Sequence, residues 1–197
     1  MISLKSEQEL ALMRYAGRIV AEVLARIEAE LVPGMTTADL ETIAGQLIVD
    51  KHGAIPSFKG YRGYPAMICA SVNEEIVHGI PGPRKLREGD IVGIDVGAIY
   101  RGYHGDAAIT LAVGQVDETS RRLLDVTAEA LRLGIEAAQV GKWTADISRA
   151  VQQCAEARGF SVVREYTGHG IGRKRHEDPQ VLTYCEPRRG SVQLRPG

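Results

Sequence analysis

A seven-residue phrase occurs twice in this chain, and it constrains the fold more than any other feature. GMTTADL at 34–40 matches GKWTADI at 141–147, with Gly34/Gly141, Thr37/Thr144, Ala38/Ala145, Asp39/Asp146 and Leu40/Ile147 in step. Each copy follows one helical pattern and opens a second, and each second helix is expected to stop at a glycine, Gly53 or Gly159. A phrase this short is either a shared way of capping a helix or the trace of a duplicated unit. The matching context on both sides favours duplication, with pseudo-repeats over about 6–114 and 117–197 of one domain spanning residues 1–197.

Local patterns fill in the first copy. Residues 6–31 read as an amphipathic helix: Ser6 with Glu9 makes a capping box, and Met13, Ala16, Val20, Val23, Leu24, Ile27 and Leu31 recur at three-and-four spacing. Pro33-Gly34 ends it, and a second helix begins near Thr37 with Asp39 in its first turn. After a Gly/Tyr/Pro-rich loop, AMICASV and IVGIDVGAIY have the β-branched density of strands, and HGDAAITLAVG is the partner of the second. Helical patterns return at about 117–138 and 144–158. A helix pair followed by a strand hairpin, then a second helix pair, predicts an α+β fold.

The repeat also measures the C-terminal end. LREG at 86–89 precedes a strand in the first copy, and Gly89 lies 55 residues after Gly34; LRPG at 194–197 ends 56 residues after Gly141. By this yardstick the second hairpin, roughly 25 residues or more at ordinary strand and turn lengths, is expected to lie beyond Gly197. The second half is then incomplete, and its sheet is expected to present an unpaired edge.

Charge and composition exclude some functions. The chain has 24 Lys+Arg against 25 Asp+Glu and no long run of either sign, so it carries no electrostatic footprint for nucleic acid. No apolar run is long enough to span a bilayer, and Met1 leads into SEQELALM without a signal-sequence pattern, which points to the cytoplasm. Cys69, Cys154 and Cys185 have no CxxC spacing, and reduced thiols are favoured over a disulfide or a zinc site.

Three segments carry candidate chemistry. In GIDVGAIYRGYHGDAAI, Asp95 sits within an apolar strand and Asp106 on the returning one; folding about Tyr100-Arg101-Gly102 places them opposite each other on one face. Two carboxylates that close repel unless a cation lies between them, and a divalent metal satisfies both; the alternative is that Asp106 caps a turn while Asp95 pairs with an arginine. In GHGIGRKRHEDPQV, His169 is flanked by glycines that would let the backbone approach a bound group, and His176 follows seven residues later. Two histidines in a Gly-rich segment, of only five in the chain, point to a site, and imidazole with carboxylate suits a first-row divalent ion better than calcium or magnesium. His78 in NEEIVHGIPGP is by itself more readily a core histidine, and His52 and His104 read as surface or local hydrogen-bonding groups.

In order and spacing, EEIVHGIPG, GDIVGIDVGAIYRGYHGDAAIT and TGHGIGRKRHEDPQV together resemble the type I methionine aminopeptidases, over essentially the whole chain. That resemblance implies the pita-bread fold, with pseudo-two-fold halves each carrying a helix pair on an antiparallel sheet. It implies removal of the initiator methionine from nascent polypeptides by a two-metal hydrolysis, preferring a small second residue, with Co, Mn, Fe or Zn as the ions. By position, Asp95 would chelate one metal, Asp106 would bridge the two and His169 would bind the second. His176 would contact the scissile carbonyl and oxyanion, His78 the substrate amide nitrogen, and Tyr61, Tyr64 and Cys69 the methionine side chain. The implied setting is a cytoplasmic monomer acting on nascent chains, with the ribosome as a further candidate partner.

Two departures stand out. Arg175 occupies a position where the family usually carries a bulky apolar residue lining the pocket. The family's remaining ligands are two glutamates that follow an L-x-P-G turn, so Asp95, Asp106 and His169 are an incomplete set. The chain is expected to be a piece of a longer aminopeptidase, with a ligand set that by itself would hold the metal pair poorly. The competing readings are a prolidase or aminopeptidase P type Xaa-Pro peptidase and a metal-free remnant serving as a binding module.

Overall fold

Helix α1 (Glu7–Glu30) starts where the Ser6 side chain accepts a hydrogen bond from the Glu9 amide and the Glu9 carboxylate accepts one from the Ser6 amide at 2.9 Å. It buries Ala16, Ile19, Val20, Val23 and Ile27, one stripe of its surface. In this computed structural model, which describes residues 2–186 and 190–196, α2 (Thr37–Gly45) follows. Its N-cap is Thr36, with Asp39 closing the reciprocal bond to the Thr36 amide at 2.7 Å. The single helix expected to run to Gly53 instead changes character at Gln46: Gln46–Lys51 is a π-helical segment, a wider turn in which the His52 amide reaches back to the Leu47 carbonyl.

Strands β1 (Ile55–Pro56), β2 (Ile68–Val72), β3 (Ile91–Tyr100) and β4 (Tyr103–Ala112) form one antiparallel sheet around β3. β2 and β1 lie along one edge of β3, and β4 covers its other edge over ten consecutive residue pairs. Side chains alternate across the sheet. Ile68, Ala70, Val72, Val92, Ile94, Val96 and Ala98 point to one face and form the core with α1, Leu40, Ile43 and Ile48. Cys69, Gly93, Asp95 and Gly97 therefore point to the other.

Helices α3 (Glu118–Ala137) and α4 (Thr144–Glu156) and a two-stranded ribbon, β5 (Gly168–Gly170) with β6 (Glu177–Val181), complete the described elements. The chain divides into two compact units. One holds Lys5–Glu118 with Ile171–Arg175; the other holds residues up to Leu4, Thr119–Gly170 and the chain from His176.

The two copies of the repeated phrase are built alike. The Gly34 and Thr37 amides bond to the Leu86 and Arg84 carbonyls, and the Leu86 amide returns to Met35. The Gly141 and Thr144 amides bond to Leu194 and Val192, and the Leu194 amide returns to Lys142. The copies differ at the cap. Trp143 replaces Thr36 and has no hydroxyl to offer, so only the bond from the Trp143 amide to Asp146, 2.8 Å, remains of the reciprocal pair.

Helix α1 lies directly on β4 at Gly105, where an added Cβ would fall 2.6 Å from Ala16 C and Gly17 N. Those atoms are backbone and have nowhere to yield. Gly105→Ala is expected to destabilise the fold by about 1–3 kcal/mol or more. Gly17→Ala on the exposed side of the same helix, where an added Cβ meets nothing within 4 Å, is expected to stabilise it by about 0.5–1 kcal/mol. Urea midpoints of the two variants check both signs.

Candidate functional site

The β3–β4 hairpin turns through two residues, Arg101 and Gly102, both in the left-handed region at φ 48° and 83°. That is the geometry of a two-residue hairpin loop whose twist matches its strands. Tyr100 pairs with Tyr103, so Asp95 faces Ala108 and Asp106 faces Gly97. The two aspartates are thus diagonal neighbours rather than the direct opposites expected from the sequence. A displacement of two residues preserves parity, so both carboxylates still emerge on the face away from the core.

On that face the two carboxyls hydrogen-bond to each other. Burial, and secondarily the charge of Asp106, holds the Asp95 carboxyl well above the usual carboxylate range, while Arg175 pulls in the opposite direction. Gly97, opposite Asp106, carries no side chain because Phe58 and Ser57 lie against it: a Cβ there would come within 2.6 Å of the Phe58 ring.

Around this pair the structure gathers three of the expected pocket residues. Cys69 is directly opposite Asp95 across β2–β3 and is 3% exposed. Burial pushes its thiol up to about 11, so it stays protonated at neutral pH, and it hydrogen-bonds with Tyr64. The Tyr64 hydroxyl also lies 3.1 Å from the Ile68 carbonyl and 3.0 Å from that of Gly79, and burial raises its pKa. Tyr61 is half-buried, with its ring 5.4 Å from the Arg175 guanidinium carbon. The Arg175 guanidinium lies on the Phe58 ring at 3.8 Å, and its Nε is 3.8 Å from Asp106 Oδ2. Phe58 escaped the sequence reading; its only signal was an aromatic three residues before Tyr61 in the same loop.

His78 stands elsewhere in this unit, exposed and at φ 59°, beside the edge of β2 where the Ala70 amide bonds to the Gly79 carbonyl. His104, read from sequence as a surface or local hydrogen-bonding group, is buried, with Nδ1 3.0 Å from Ser57 Oγ. His52 bonds to Tyr15 and Glu22.

His169 and His176 come together in the other unit, with ring centroids 4.2 Å apart and planes inclined at 52°. His169 Nδ1 lies 3.0 Å from the Gly170 carbonyl. A carbonyl only accepts, so this contact calls for a proton on Nδ1. The flanking glycines have a different reason from the one anticipated. An added Cβ at Gly170 would be 2.4 Å from the Asp178 carbonyl oxygen, and one at Gly168 would be 3.1 Å from that of Val181. They admit the neighbouring strand rather than a bound group.

Among the described residues, no three His, Cys, Asp or Glu side chains gather into a metal-binding group. In kind, however, the hairpin fits a divalent cation: two hard carboxylates share one face within hydrogen-bonding reach, and a cation would draw both.

Residues 11–197 match the model of metallopeptidase family M24, and the chain belongs to that family of metal-dependent peptidases. Its relatives narrow the class. It is 50% identical over 197 residues to methionine aminopeptidase 1 of Bacillus subtilis, covering 100% of this chain and 79% of that one. It is also 50% identical over 191 residues to the methionine aminopeptidase of Clostridium acetobutylicum, covering 96% and 76%. The crystal structure of the Thermotoga maritima methionine aminopeptidase superposes with a TM-score of 0.95 at 44% identity, covering 99% of this chain and 78% of that one. A prolidase from Pyrococcus furiosus, at 23% identity and a TM-score of 0.81, shares the fold. The expected α+β pita-bread architecture is that of these enzymes. No described helix is long and apolar enough to cross a membrane.

The raised Asp95 pKa has a consequence for metal-free stability. Between the ordinary value of 3.8 and its raised value, the folded protein binds more protons than the unfolded chain. This group's contribution is therefore fully present below about pH 4 and is lost as pH rises through the raised pKa. Metal-free Asp95→Asn is expected to exceed the parent in stability at pH 7.5, by about 1–3 kcal/mol, with the difference shrinking toward pH 4. Denaturant titrations at the two pH values measure it.

Proposed function

We propose that this chain removes the N-terminal methionine from polypeptides by metal-dependent hydrolysis, with a preference for small second residues. The observation that carries the reading is the half-buried Asp95–Asp106 pair on the face of the sheet away from the core, in an M24 chain half identical along its length to proteins named methionine aminopeptidases. The 50% relatives bear the methionine name, whereas the likeness to prolidase reaches only the fold, so the Xaa-Pro reading is not favoured.

On this proposal Asp95, Asp106 and His169 would hold the metal ions. The ions are two of the first-row divalent type, Co, Mn, Fe or Zn. When bound they supply Lewis acidity toward the scissile carbonyl and acidify the attacking water. His176 donates to the oxygen of that carbonyl as charge develops on it, and His78 holds the substrate amide nitrogen. Tyr61, Tyr64 and Cys69 wall the methionine side chain. Tyr64 and Cys69 direct their polar atoms at each other and at carbonyls, which leaves an aromatic and sulfur surface suited to a thioether. The two compact units, with their matching backbone bonds at Gly34 and Gly141, are in this proposal the two halves of a duplicated fold. Substrates are nascent chains in the cytoplasm, met by a monomer at or near the ribosome.

The enzyme is expected to cleave Met-Ala-Ser in the presence of Mn or Co, to lose activity in chelator, and to leave Xaa-Pro peptides intact. Asp106→Asn is expected to lower kcat/KM by about 100-fold or more, since a metal's charge stabilisation amounts to several kcal/mol. Turnover of Xaa-Pro peptides without turnover of Met-Ala-Ser would sink the proposal.

A further inference from the structure

Arg175 is placed by the chain as a whole rather than by one contact. The segment Ile171–Arg175 folds with the hairpin unit: the His104 amide bonds to the Gly172 carbonyl at 2.9 Å, and Arg173 lies over the Tyr103 ring at 4.5 Å with Glu9 3.8 Å away. This brings the Arg175 side chain, 12% exposed, onto an aromatic shelf made by Phe58 and Tyr61. Its Nε is buried and has no hydrogen-bond partner, and Asp106 Oδ2 lies 3.8 Å from it. A guanidinium keeps its charge at any physiological pH. The shelf therefore holds a permanent positive charge beside the two carboxylates, in a long ion pair with Asp106.

A divalent cation approaching Asp95 and Asp106 meets that charge. We infer that Arg175 is a built-in counter-cation of the Asp95–Asp106 pair which competes with the divalent metal, so that this chain loads metal more weakly than it would with a neutral side chain at 175. The inference rests on the metal-ligand reading of the two aspartates. Packing and charge separate cleanly at this position. The shelf contacts belong to the arginine's flat face and stem, whereas the competition belongs to its charge alone. A neutral residue of similar length keeps the first in part and removes the second entirely.

The test is equilibrium dialysis of Mn(II) against the metal-free protein, with thermal unfolding recorded with and without the ion. Arg175→Met and Arg175→Gln are both expected to bind Mn(II) about 10- to 100-fold more tightly than the parent, the range by which one adjacent like charge shifts a charge-binding equilibrium. Arg175→Lys, which keeps the charge and loses the planar stack, is expected to stay close to the parent. Metal-free Arg175→Met is expected to melt lower than the parent but to gain more from Mn(II). Equal or weaker binding by both neutral variants would overturn the inference while leaving the aspartates as ligands. Asp106→Asn placed on Arg175→Gln separates the two failures: if it leaves Mn(II) affinity untouched, the aspartates are not the metal site and both statements fall. Either neutral variant alone decides the question if the other does not fold.

Discussion

The ten-pair ladder between β3 and β4 is the constraint on which the rest of this structure depends. It fixes Val92, Ile94, Val96 and Ala98 toward the helices and Asp95 away from them. A slip of one residue would exchange the two sets, putting a carboxylate among Val20, Val23 and Leu40 and exposing a row of β-branched side chains. The same ladder brings Gly105 under α1, where an added Cβ would meet helix backbone at 2.6 Å. Core and candidate site are two faces of one strand, so whatever specifies the register specifies both.

Much of this was legible in the sequence. The α1 boundaries follow from Ser6 and Glu9, and β3 was visible over its full length because β-branched residues alternate with Gly and Asp. The register was not, for a definite reason. A two-residue loop of this kind is announced by Asn-Gly or Asp-Gly, and here its first position is Arg101, which carries no such signal. Taking Asp95 and Asp106 as direct partners misplaced the pairing by two residues, since Asp95 faces Ala108, and an even error left both aspartates on the correct face. The π-helical turn at Gln46–Lys51 has no periodic signature in six residues, and the burial of His104 depends on Ser57, 47 residues away. Neither could be found from local pattern.

Glycine is the residue whose role sequence reading mistook. Beside His169 it suggested room for a ligand; in the structure Gly170 and Gly168 make room for the backbone of β6. The two copies of the repeated phrase give a complementary lesson. Their backbone bonds to the 84–86 and 192–194 segments coincide although Thr36 has become Trp143, because the amide–carbonyl bonds need no particular side chain while the hydroxyl cap does. What recurs is backbone geometry and the aspartate three residues on, and those are the parts of the phrase that survived.

The arrangement on the outer face of the sheet is costly, and the inner face explains how it persists. Removing a carboxylate from water costs several kcal/mol even after relaxation, and two sit here within hydrogen-bonding reach. On the reverse of the same strand, Val92, Ile94 and Val96 are fully buried, each contributing about 1.5–3 kcal/mol. The core therefore outweighs the strain that the aspartates introduce. Arg175 supplies positive charge from 3.8 Å, and burial, with the charge of Asp106 second, still holds the Asp95 carboxyl above its ordinary range. A protonated Cys69 and a Tyr64 hydroxyl turned toward it and nearby carbonyls add no further charge. The paired carboxyls are thereby confined to one point on the sheet, where a divalent cation would be drawn to them and where, on the inference above, the local arginine sets how strongly.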